Sequence, residues 1–89
     1  MRAIITVIGR DRIGIIARVT AILAEHRVNV LDISQTILQE FFTMTMLVDL
    51  GAMEISLEEL RARLKDAGAQ MELSIRVQHE DLFRSMHRI

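Results

Sequence analysis

The 89 residues are predicted to fold as a single α+β sandwich over residues 1–89, in the order strand, helix, strand, strand, helix, strand and a short C-terminal helix. Three observations predict this. Apolar residues run together or alternate in four short segments, as strands require. In two longer segments they recur every three or four residues, as on a buried helix face. Between Ile4 and Thr36 a glycine-punctuated loop joins strand, helix and strand within about thirty residues, the signature of a βαβ crossover.

The first strand, Met1 to Ile8, carries continuous Ile and Val from Ile4, which fits a strand covered on both faces or central in its sheet. Gly9 ends it. Asp11 then stands as a helix N-cap, because its carboxylate can accept orphan N–H groups. From Ile13 to His26, Ile15, Val19 and Ile22 recur at helical spacing, with Ile16 and Leu23 widening the stripe and Arg18 and Glu25 on other faces. His26 and Arg27 put positive charge at the end where the helix dipole favours it. This crossover sets the loop from Arg10 to Gly14 beside the start of the second strand. Free N–H groups at such a helix start favour a carboxylate or phosphate.

The second strand, Val28 to Leu38, begins apolar and then alternates, with Asp32, Ser34 and Thr36 on one face and Leu31, Ile33 and Ile37 on the other. Gln39-Glu40 makes a tight connection to a third strand, in which Phe42, Met44, Met46 and Val48 face one way. Ser56 with Glu59 forms a capping box at the start of the second helix, and Ile55 with Leu60 forms a hydrophobic staple around it. Leu57, Leu60, Leu64 and Ala67 make its buried stripe, and Gly68 reads as the glycine just past its end. The fourth strand, Met71 to Val77, alternates again. An amphipathic tail from Glu80 to Ile89 carries Leu82, Phe83 and Met86 on one side. Two crossovers of this kind give a four-stranded antiparallel sheet with both helices on one face, the split-βαβ or ferredoxin-like arrangement.

Composition bounds the function. With 51% hydrophobic residues the chain can fill a core and still leave apolar surface for a partner subunit. A net charge of −1 with interspersed signs argues against a polyanion-binding surface. Three Phe without Tyr or Trp do not supply the aromatic, basic sheet that binds single-stranded RNA. There is no cysteine, hence no disulfide and no thiolate metal site. His26, His79 and His87 lack metal-ligand spacing, so neither a metal nor a cofactor is expected. No apolar run approaches the ~18 residues that span a bilayer, and no cleavage site follows the first strand, so a cytoplasmic protein is expected.

The run GRDRIG, the helix after it, and RVNVLDISQT resemble the ACT domain, a small regulatory module that senses amino acids. The resemblance covers nearly the whole chain and is closest to stand-alone single-ACT proteins and the glycine-cleavage-repressor type. It implies a non-enzymatic homodimer joined through the second strands, two sheets becoming one of eight strands. It also implies a small ligand, often an amino acid, held between the first loop of one subunit and the second strand of its neighbour. On matching positions the ligand-binding residues are Asp11, Arg12, Ile13, Gly14 and Asn29. Asp11 or the Asn29 carbonyl would take an ammonium; helix N–H groups and the Asn29 amide would take a carboxylate. Many amino-acid-binding members have Asn at the place of Asp11 and Pro at that of Ile13, and often Gly at that of Arg27. A left-handed backbone at Arg27 would cost on the order of 1 kcal/mol.

Four of these residues, and Arg10 beside them, also have a structural reading: Asp11 as a cap, Gly14 as helix-to-sheet packing, Asn29 as a partner for loop backbone, Arg10 and Arg12 as solvated charges. The alternative function is a protein-interaction or dimerisation module of the same fold with no small ligand. An acylphosphatase-like enzyme, which shares the fold, would need Arg10 or Arg12 to converge with Asn29 on one anion.

Overall fold

A computed structural model describes residues 1–81, so the expected tail helix lies outside the described residues beyond its first two positions. The elements are β1 (Arg2–Arg10), α1 (Ile15–Glu25), β2 (Asn29–Leu38), β3 (Phe41–Asp49), α2 (Leu57–Gln70) and β4 (Leu73–His79). They form one four-stranded sheet in the order β2-β3-β1-β4, with every neighbouring pair antiparallel. The ferredoxin-like arrangement read from the sequence is the observed one.

Register explains the core. Ile5 sits between Met46 and Val77, and Val7 between Met44 and Ile75. Cross-strand partners share a face, so these rows line one side of the sheet. Against them pack Ile15, Val19 and Leu23 of α1 and Leu60 and Leu64 of α2, all buried. Each such aliphatic side chain contributes roughly 1.5–3 kcal/mol on burial.

β1 is central in the sheet, one of the two positions its apolar run allows, and departs from expectation by running through Gly9 to Arg10. Ile8 falls on the face away from the helices and is 50% exposed. The apolar run accompanies a central position between β3 and β4, with Ile4 buried on the same face on which Ile8 is exposed.

α2 begins as its sequence says. The Ser56 hydroxyl accepts the Glu59 N–H at 3.1 Å, and partly buried Ile55 packs on the core that contains Leu60. Ser56→Ala should lower stability by about 1 kcal/mol. For a domain of this size that is a Tm lower by about 4–8 °C in a circular-dichroism melt. An unchanged Tm would mean that the hydroxyl does not hold the helix start.

The end of α2 differs from expectation. Gly68 lies inside the helix, which continues to Gln70 and stops where Glu72 takes φ 57°. A Cβ at Gly68 would meet the Leu73 carbonyl oxygen at 2.8 Å and Ile75 Cγ1 at 3.2 Å. The glycine permits close approach of helix and β4 rather than a left-handed turn.

β2 is the strand the helices do not reach. It is the sheet edge beyond β3, and nine of its ten residues are exposed, Val30 being the half-buried one. A bulge between Val30 and Asp32 shifts the register, after which Ile33, Gln35 and Ile37 pair with Met46, Met44 and Phe42. The helix-side row of β2 is thus Ile33, Gln35 and Ile37, with Leu31 in the bulge. Leu31, Ile33, Ile37 and Leu38 are between 44% and 70% exposed. A long edge with apolar side chains invites another strand.

Candidate functional site

The loop after β1 is fixed at two points before α1 begins. The Asp11 N–H donates to the Glu40 carbonyl at 2.7 Å, tying it to the β2–β3 turn. The Arg12 guanidinium donates to the Met71 carbonyl at 3.1 Å, tying it to the C-cap of α2. A cation there also complements the helix dipole. Arg12 is therefore not a free loop charge; one of its guanidinium nitrogens is held by the protein's own backbone.

The N-cap of α1 is Gly14, not Asp11. Gly14 has φ 94°, a left-handed conformation open to glycine, and its carbonyl accepts the Arg18 N–H at 2.9 Å. Among the described residues no side chain caps this end, and the first turn carries no acidic residue. The leading N–H groups of α1 thus have no side-chain acceptor, the condition under which a helix start receives an external anion.

These groups open into a cleft of about 260 Å³. Its walls are Asp11, Arg12 and Gly14 from the loop, the first turn from Ile15 to Ala17, and Gln35 and Ile37 of β2, with buried Phe42 beneath. Among the described residues the Asp11 carboxylate has no hydrogen-bond or ion-pair partner. The arrangement offers donors from the helix, an acceptor from Asp11 and an apolar floor. That set suits a small molecule carrying both charges and an uncharged body.

Of the five residues expected at the site, Asp11, Arg12 and Gly14 line this cleft. Ile13 is fully exposed on the same loop and does not. Asn29 lies elsewhere. It starts β2, paired with Asp49, whereas the loop stands near the strand's other end, where Leu38 pairs with Phe41. The two are separated by about 30 Å, the length of nine residues in a strand. The expectation that the loop adjoins the start of the second strand fails because β1 and β2 run parallel, so the exit of one adjoins the exit of the other. For the same reason Arg10 and Arg12 do not converge with Asn29, and the acylphosphatase-like constellation is not assembled within the chain. Asn29 instead borders a second cleft of about 300 Å³ with Ala24, Arg27, Val28 and Ala52.

Ile15, Gln35, Ile37 and Phe42 belong to the site although the sequence reading passed them over. The available signal was Gln35, a polar residue interrupting the row of Ile33 and Ile37. No group of three or more His, Asp or Glu among the described residues is placed to hold a metal. No helix among them is long and apolar enough to cross a membrane.

A family model for the ACT domain matches residues 2–78. The chain belongs to the ACT-domain family. ACT domains are regulatory, small-molecule-binding modules. A UPF0237 protein of Clostridium acetobutylicum is 52% identical over 89 residues, the full length of both chains. Among solved structures, an ACT domain protein from Streptococcus pneumoniae is 38% identical with a TM-score of 0.81, covering 93% of each chain. The regulatory subunit of aspartate kinase from Thermus thermophilus is 25% identical with a TM-score of 0.67, over 86% of this chain and 50% of that one. In this ACT domain the cleft at the start of α1 and the uncovered β2 edge lie side by side, since Gln35 and Ile37 belong to both.

Proposed function

We propose that this ACT domain is a non-enzymatic regulatory dimer that binds a small amino acid in a site shared between two copies. The carrying observation is the uncapped start of α1, facing a cleft with an unpartnered carboxylate at its rim and Ile15 and Phe42 at its floor. An amino acid's carboxylate meets the helix N–H groups, its ammonium meets Asp11, and its side chain rests on the apolar floor. The β2 edge supports dimerisation: pairing it with a second β2 buries Leu31, Ile33, Ile37 and Leu38 and satisfies the edge backbone. Isologous pairing of one edge with itself runs the strands antiparallel. The Asn29 end of one copy then adjoins the loop of the other, which reunites the residues that a single chain keeps apart.

A thermal melt with each of the twenty L-amino acids at millimolar concentration tests this reading. One present at about 100 times its dissociation constant adds roughly 2.7 kcal/mol, a Tm rise well above error. No shift from any of them contradicts it. The second reading, a protein-interaction module without a ligand, draws on the same exposed row and on Ile13, 102% exposed beside the cleft. It requires the melt to stay flat while the dimer forms.

A further inference from the structure

We infer that Arg27 of one copy reaches the Asp11–Glu40 end of its neighbour, pairs with Glu40, and so closes the shared site with a cation. This rests on the β2-to-β2 dimer proposed above. With Asn29–Leu38 laid fully against its own copy in antiparallel sense, Asn29 faces Leu38, and Arg27, two residues earlier, falls opposite Glu40. Glu40 already holds the Asp11 backbone at 2.7 Å. The two-fold axis therefore brings the Arg27–Asn29 cleft of each copy against the α1-start cleft of the other, twice per dimer.

The charges at the two ends fit this placement. The carboxylates of Asp11 and Glu40 have no partner among the described residues. Among the described residues Arg27 has only a distant contact with Glu54, at 3.9 Å, and both side chains are largely exposed. Its backbone is left-handed, φ 62°, which sets it as a projecting corner between α1 and β2. A guanidinium beside Asp11 also offsets the repulsion that two clustered acids would exert on an amino acid's carboxylate. Paired with Glu40, it cancels one of the two acidic charges and leaves Asp11 as the carboxylate that meets an ammonium.

The test is the dimer dissociation constant by sedimentation equilibrium, which needs no ligand. Arg27→Glu places like charges together at two equivalent contacts, and the constant should rise by about tenfold, with the difference shrinking at high salt. Adding Glu40→Lys to the same chain should return it to near the wild-type value. Arg27→Gly guards against misfolding: relief of the left-handed strain should raise Tm by a few degrees, and the dimer should weaken less than in Arg27→Glu. A dimer indifferent to Arg27→Glu, or a double variant no tighter than the single, overturns this inference alone. A wild-type chain that sediments as a monomer overturns the dimer and this inference together.

Discussion

Replacing Ile33 by proline is expected to give a folded monomer that no amino acid stabilises. Ile33 lies midway along the edge strand, 44% exposed, and its N–H is held by the Asp32 carboxylate at 2.8 Å, off the β3 ladder. The ring therefore costs the sheet little, while it fixes the backbone and adds bulk along the edge where a second β2 would pair. Because the two-fold repeats the defect, the dimer dissociation constant should rise on the order of a hundredfold. Residues 11–17 are untouched, so loss of the amino-acid-induced Tm shift would come from loss of the second copy. A proline variant that stays dimeric contradicts pairing through β2. A monomer that still responds contradicts the shared site.

Leu64→Ala is expected to have the largest effect on the fold itself. Leu64 is fully buried on α2, in the cluster that includes Leu60 and the core face of the sheet. Truncation removes three carbons and leaves a cavity that rigid neighbours fill only in part, at a cost of about 2–5 kcal/mol. That is a large share of the roughly 5–15 kcal/mol that holds a domain together. A melt should show Tm lower by about 10–30 °C. A drop of under about 4 °C would show that α2 is not packed on the sheet as described.

The contrast between these positions shows what the sequence could reveal. Elements set by local chemistry were readable: the 3.6-residue period of α1, the alternation of Phe42 to Val48, and the Ser56 hydroxyl on Glu59 all act within a few residues. Assignments that failed depend on contacts distant in the chain. Asp11 looked like a cap because it precedes an apolar period, but its N–H is drawn to Glu40 and the loop is held by Met71, so the helix waits until Gly14. Gly68 looked like a helix stop because nothing local records that the backbone of Leu73 passes 2.8 Å from its absent Cβ. The left-handed Arg27 was foreseen only conditionally, through the family's habit of placing glycine there. The site was half legible, because the loop is one segment whereas Gln35, Ile37 and Phe42 reach it through strand register.

In the proposed dimer a second copy completes the cleft at the start of α1. Linkage makes this directly measurable. An amino acid held by both copies must tighten the dimer by the factor by which dimerisation tightens its own binding, applied once for each of the two sites. Sedimentation equilibrium of the wild-type chain, with and without the amino acid that raises its Tm most, should show a lower dimer dissociation constant in its presence. Binding of that amino acid with no change in the dimer constant would place the site within one chain and rule out the shared cleft.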